Sequence, residues 1–254
     1  MARLSVNLNK IALLRNSRRT GVPDPMAFVV PAREAGARGI TLHPRPDERH
    51  VRRDDVVRIA AEMAPWRPDF ELNLEGFPDE RFLALVEEVR PEQCTLVPDP
   101  PGVLTSDKGW EFDASEVGQV GPAVDRLRRI GCRVILFIDP DPNLPDRVAD
   151  LGADGVEIYT GAYADHFRRG TPGGILEQTA ETARRACARG LIVNAGHDLN
   201  LRNIPPLVAA VPLLAEASIG HELTADALTL GFRSAVAEYA GALAAIGAGA
   251  HGAR

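Results

Sequence analysis

One phrase recurs four times along this chain and limits what it can fold into: the end of a helical segment, a glycine, then a short apolar run. It reads Ala35-Gly36-Ala37-Arg38-Gly39-Ile40-Thr41-Leu42, then Ile130-Gly131-Cys132-Arg133-Val134-Ile135-Leu136, Leu151-Gly152-Ala153-Asp154-Gly155-Val156, and Arg189-Gly190-Leu191-Ile192-Val193. Glycine just past a helix takes the left-handed backbone at little cost, and an apolar run after it suits a strand buried on both faces. This is the αβ joint of a parallel sheet. Between the joints, Phe82, Leu85, Val86 and Val89 keep helical spacing, as do Val56, Ile59, Ala60 and Met63, and Leu176, Ala180, Ala183 and Cys187. Strands are expected near 4–8, 39–43, 70–74, 93–97, 133–138, 155–159, 190–194 and 215–219. Eight βα units in 254 residues predict an α/β fold, the (β/α)8 TIM barrel. A doubly wound sheet would carry a Gly-x-Gly-x-x-Gly turn or a Walker sequence, and neither is present. No linker or composition break appears, so residues 1–254 are expected to form a single TIM-barrel domain. The tail from 248 is expected to be disordered, and the segments at 98–119 and 159–174 to be long loops able to act as lids.

Composition removes other classes. The net charge is −6, which argues against a nucleic-acid surface. No apolar stretch is long enough to predict a membrane span, and the first ten residues lack the apolar core of a signal peptide, so a cytoplasmic protein is expected. The scattered Cys94, Cys132 and Cys187 match neither a disulfide framework nor a zinc spacing, and are expected in the core.

A barrel places its chemistry where the strands end. The predicted ends deliver Asn7 to Lys10, His43 to His50, Glu75, Thr105, Asp139, Glu157 to Thr160, Asn194 to Asp198, and Gly220 with His221. Each alone fits a bland role: a capping histidine, a turn glycine, or Arg45 and Arg49 paired on the surface with Asp47 and Glu48. Together they place three proton-transfer groups, His43, Glu75 and His197, on one rim. Arginines and glycine-adjacent N–H groups beside them suit phosphate. A metal site of His43, Glu75, His197 and His221 ranks low beside that reading.

The blocks Asn7-Leu8-Asn9-Lys10 through Leu14-Arg15-Asn16-Ser17-Arg18, Gly39-Ile40-Thr41-Leu42-His43-Pro44-Arg45 with His50, Asn73-Leu74-Glu75, Leu96-Val97-Pro98, Val193-Asn194-Ala195-Gly196-His197 and Ile219-Gly220-His221 resemble, in order, the pyridoxine 5′-phosphate synthase family. The resemblance implies a barrel with extra helices that condenses 3-amino-2-oxopropyl phosphate with 1-deoxy-D-xylulose 5-phosphate in vitamin B6 biosynthesis. It implies His43 and Glu75 as proton acceptors, His197 as proton donor and Glu157 as a stabilising acid. The amino-ketone phosphate would meet Asn7, Arg18, Asp198, Gly220 and His221. The deoxyxylulose phosphate would meet Asn9, Lys10, Arg45, His50 and Thr105. The family's pattern implies no metal or organic cofactor, small-molecule phosphates as the partners, no nucleic acid or membrane, and a cytoplasmic homo-octamer. This chain departs from it in carrying Asn9-Lys10 in place of Asp-His, and Asp198 in place of glycine. Two alternatives share the barrel: an aldolase forming a Schiff base on Lys10, and a non-catalytic sugar-phosphate sensor.

Overall fold

The computed structural model describes residues 1–99 and 108–245. Its strands are β1 (Arg3–Asn7), β2 (Gly39–Leu42), β3 (Glu71–Gly76), β4 (Gln93–Leu96), β5 (Arg133–Ile138), β6 (Gly155–Tyr159), β7 (Ile192–Gly196) and β8 (Glu216–Ile219). They close into a parallel barrel in sequence order, and β1 pairs back onto β8. The helices are α1 (Asn9–Asn16), α2 (Val29–Glu34), α3 (Arg53–Met63), α4 (Glu80–Val89), α5 (Ala114–Arg129), α6 (Leu144–Asp150), α7 (Gly161–Arg168), α8 (Gly173–Ala188), α9 (Ile204–Ala210), α10 (His221–Leu230) and α11 (Phe232–Ala244). Two helices follow β1, β6 and β8, which makes three more than an ideal barrel carries. The four joint glycines, Gly36, Gly131, Gly152 and Gly190, all have positive φ, between 74° and 104°.

Three expectations change. The segment at 159–174 is not an open loop, because α7 occupies 161–168 and buries Tyr163 and Ala164. Of the segment at 98–119, residues 100–107 lie outside the described part and α5 begins at Ala114. The expected tail from 248 lies outside as well. The fully buried face of α8 is Thr179, Thr182, Ala183 and Ala186; of the expected stripe, Ala183 belongs to that face, and Leu176, Ala180 and Cys187 pack against the core partly buried. Two threonines can face inward because each hydroxyl donates to the carbonyl one turn back, Thr179 to Ile175 at 2.8 Å and Thr182 to Gln178 at 2.9 Å.

The third change concerns the strands. Most are not apolar on both faces. Leu4 and Val6, Ile40 and Leu42, and Leu72 and Leu74 belong to the apolar core, while the alternate positions are polar and meet one another across the lumen. The Ser5 and Thr41 hydroxyls lie 2.7 Å apart, and Asn73 donates to Thr95 at 3.2 Å. One layer lower, Gln93 donates to Glu216 at 3.1 Å and accepts from Asn194 at 3.1 Å and from Arg133 at 3.0 Å. Glu71 pairs with Arg3 at 2.9 Å and with Arg133. The apolar core therefore sits between the strands and the helix shell, and the barrel axis is a hydrogen-bonded polar column except where β5 turns Ile135 and Phe137 inward.

Candidate active site

The polar column opens at the C-terminal ends of the strands into a cavity of about 570 Å³. Asn7, Asn9 and Lys10 enter it from the end of β1 and the first turn of α1. His43, Arg45 and His50 enter from the end of β2 and the loop after it, and Glu75 from β3. His197, Asp198, Gly220 and His221 line the far side, beyond β7 and β8.

Glu75 stands at the centre. One oxygen, Oε1, lies 3.8 Å from His43 Nδ1 and 3.7 Å from His197 Nε2. Its other oxygen is 3.5 Å from the Asn7 amide nitrogen. All three proton-transfer groups are thus within a small shift of contact, and their surroundings drive their protonation apart. Burial pushes His43 down to about 3; Glu75 opposes this, and Arg45, His50 and His197 reinforce it. His43 is therefore a neutral ring near pH 7. Burial alone would raise Glu75, but His197, His43 and Arg45 outweigh it and hold the carboxyl below its usual range. Burial likewise disfavours the His197 imidazolium, yet Glu75, Glu157 and Asp198 raise that ring above its ordinary value. The cavity offers a neutral imidazole, a carboxylate and, on His197, an imidazole whose neighbours favour its proton, side by side.

Glu157 lies behind the lining, on β6. Burial first, and then the charge of Glu75, push it upward, so the proton is favoured on it. Thr95 donates to its Oε2 at 3.3 Å. Its position depends on Gly196, where an added Cβ would stand 2.1 Å from Glu157 Oε1. The next two residues, His197 and Asp198, have φ of 82° and 58°. The left-handed region is costly for a histidine and milder for aspartate. Thr160 holds this turn, its hydroxyl lying 2.6 Å from the carbonyls of both Gly196 and His197 and able to donate to either, and Asn203 donates to that of Asp198 at 3.0 Å. Position 198 thus takes aspartate in a conformation that glycine adopts freely. The His197 ring lies between Phe137 and Tyr159, with centroids 5.0 and 5.6 Å away.

Lys10, Arg45 and Arg49 give the cavity a cationic side suited to anionic ligands. Arg45 does not pair with Asp47 or Glu48 as the bland surface reading expects. It donates to Asp99 at 2.6 Å, with both side chains buried, so it is anchored within the wall. Arg49 does reach Asp47, at 3.2 Å. Asn9 holds its neighbour through a side-chain bond, its Oδ1 accepting the His43 backbone N–H at 3.0 Å. Arg18 is exposed past the end of α1 and is not among the residues lining the cavity. Thr105 lies outside the described residues. Among the described residues, no group of three or more His, Cys, Asp or Glu side chains is arranged to hold a metal ion. Among them too, no helix is long and apolar enough to cross a membrane.

Residues 4–245 match the model of a family described as pyridoxal phosphate biosynthesis protein PdxJ. The chain belongs to this family. Pyridoxine 5′-phosphate synthase of Brucella suis is 50% identical over 244 residues, covering 96% of this chain and 99% of the relative. The enzyme of the same name from Mesorhizobium japonicum is 49% identical over 239 residues, covering 94% and 97%. Two solved structures of low sequence identity share the fold. The YdjI aldolase of Escherichia coli K12 superposes with a TM-score of 0.62 at 14% identity, covering 97% of this chain and 90% of that one. A mutant tryptophan synthase alpha-subunit from Pyrococcus furiosus gives 0.60 at 12%, covering 96% and 98%.

Four lining residues were not among the functional candidates read from the strand ends: Leu13, Arg49, Tyr159 and Ser218. Period-two alternation from Glu157 puts Tyr159 on the lumen face, so the signal for it was present. Arg49 carried none, since its neighbours Asp47 and Glu48 made a surface pair equally plausible.

Proposed function

We propose that this protein is a pyridoxine 5′-phosphate synthase. It joins 3-amino-2-oxopropyl phosphate to 1-deoxy-D-xylulose 5-phosphate, releasing inorganic phosphate and water as the pyridine ring closes. The observation that carries this reading is Glu75 Oε1 set between His43 Nδ1 and His197 Nε2 in a cavity with a cationic side. Amine attack, phosphate loss and an aldol-type closure need protons removed and returned several times at neighbouring atoms. His43, held neutral, and Glu75, held ionised, are the acceptors. His197, whose neighbours favour its proton, is the donor. Glu157 keeps its own proton beneath them and stabilises charge as it develops. The sugar phosphate sits against Lys10, Arg45 and His50, with Asn9 fixing the backbone of His43 beside it and Thr105 contributing. The amino-ketone phosphate sits against Asn7, the backbone at Asp198, and the Gly220–His221 turn, where α10 begins and its N–H groups face the anion.

Residues 1–254 act as one catalytic unit in the cytoplasm, assembled as an octamer. Exposed apolar side chains on packed neighbours, Leu13 and Leu14 on α1 and Leu228 and Leu230 on α10, support burial between copies, with Arg18 contacting phosphate within that assembly.

The test is the condensation assay with the two phosphates, read as pyridoxine 5′-phosphate formed. Glu75→Gln should lower kcat by about 10²–10⁴ with the fold intact. It should also move the alkaline limb of the pH profile downward, because His197 loses the carboxylate that holds its proton. No product from folded wild type, or an unshifted limb, refutes these assignments. Borohydride trapping of an adduct on Lys10 would favour the aldolase reading instead.

A further inference from the structure

The Arg15-Asn16 pair belongs to one of the blocks that carry the family resemblance, yet neither side chain lines the cavity. Arg15 is buried at 6% exposure and Asp55 at 5%. Arg15 donates to Asp55 at 2.5 Å, to the His50 carbonyl at 3.1 Å, and to Asn16 Oδ1 at 3.0 Å. That last bond orients the Asn16 amide, whose nitrogen then lies 3.1, 3.0 and 2.8 Å from three successive carbonyls, those of Glu48, Arg49 and His50. The second oxygen of Asp55 accepts the Arg52 N–H at 2.8 Å, closing the ring of bonds. Glu48 has φ of 49°, a conformation that needs such support in a residue with a side chain.

The network joins two elements that wall the same side of the cavity. α1 carries Asn9 and Lys10 at its start and Arg15 and Asn16 at its end. The loop between β2 and α3 carries Arg45, Arg49 and His50. This segment has no helix or strand of its own between Leu42 and Arg53, so its backbone carbonyls must find partners elsewhere. A loop that presents three ligand-facing side chains without regular structure would have to be ordered by its ligand, at a cost in affinity.

We propose that Arg15 and Asn16, braced by Asp55, are positioning residues that pre-organise the loop 44–52 for the anionic substrate bound by Lys10, Arg45, Arg49 and His50. They touch no substrate. They set the backbone from which Arg49 and His50 reach inward, and tie it to the helix bearing Lys10. The inference rests on the proposed placement of deoxyxylulose phosphate on this side, and its test separates the two.

The variant to measure is Asn16→Ala, which leaves the buried Arg15–Asp55 pair in place; Arg15→Lys is the companion, keeping a charge for Asp55 while losing the fork. The readouts are KM for each substrate, kcat, melting temperature and hydrogen exchange of the loop amides. The expected result for Asn16→Ala is a rise of about tenfold in KM for deoxyxylulose phosphate. The other KM should stay within twofold and kcat within threefold, with faster exchange confined to 44–52. Arg15→Lys should show the same selective pattern. A selective rise in KM for the amino-ketone phosphate would uphold the clamp and overturn the placement of the substrates. Unchanged kinetics and exchange, or a loss shared equally by both substrates together with a lowered melting temperature, would overturn the clamp.

Discussion

His50 shows how a residue's surroundings decide its role in this site. Burial first, then Arg45 and Arg49, press its ring down to about 4, and its Nδ1 accepts the Val51 N–H at 2.9 Å, as a neutral imidazole can. A histidine held neutral in the fold makes stability fall with acid, since the unfolded chain takes up the proton first. That loss begins as pH drops below about 6.5 and levels off near the folded value, about 4. Glu157 and Glu216 are raised by burial and act in the opposite sense, but they do so equally in wild type and in His50→Gln. Urea titrations at pH 7, 6 and 5 should therefore show wild type losing about 2 kcal/mol relative to His50→Gln between pH 7 and 5, most of it below pH 6. Parallel losses would mean the ring is protonated in the fold. His43, Glu75 and His197 were legible as residues because each ends a strand. Their division of labour entered only with the family resemblance, because it depends on burial and on charges such as Glu75 and Glu157 that other strands bring beside each ring.

At the scale of elements, helices were legible wherever one stripe was apolar. The stripe of α4, Phe82, Leu85 and Val86, is buried as its spacing predicts. Asp79 caps that helix, accepting the Phe82 N–H at 2.7 Å. Asp79→Ala should lower unfolding free energy by about 1 kcal/mol, measured by urea denaturation, with turnover of the folded enzyme unchanged. A larger loss with impaired turnover would show that the cap also holds β3 and Glu75 in place. α7 and the inward threonines of α8 were not legible. The first is only eight residues long, and its apolar pair, Tyr163 and Phe167, spans a single turn. The second are polar side chains turned inward, which sequence polarity alone argues against until the hydroxyls are seen bonded within the helix. The strands differed as well: apolar runs buried on both faces were expected, but Ser5, Thr41 and Asn73 give the inner face a polar lining once the barrel closes.

For the whole molecule, the polar column is the feature that connects fold and site. Its lower layer converges on Gln93, which meets Arg133, Asn194 and Glu216. Asn194 Oδ1 is, among the described residues, the one buried side-chain polar atom without a partner. Such a column is stable only while its members satisfy one another, so removing one strands several. Gln93→Leu, close in size, should cost about 3 kcal/mol or more in unfolding free energy by urea denaturation, despite adding apolar surface. A neutral or stabilising result would mean that the column is hydrated well enough not to need its internal bonds.

The sequence by itself determined the barrel and the side chains that ring its mouth. Glycine joints, helical stripes and strand ends are local patterns, and their physical causes act within a few residues. Tertiary structure decided which face of each strand is lumen, which acid Arg45 anchors to, and which of three neighbouring groups carries the proton. Those depend on burial and on charges brought together from strands far apart in the chain, and no local pattern records such distances.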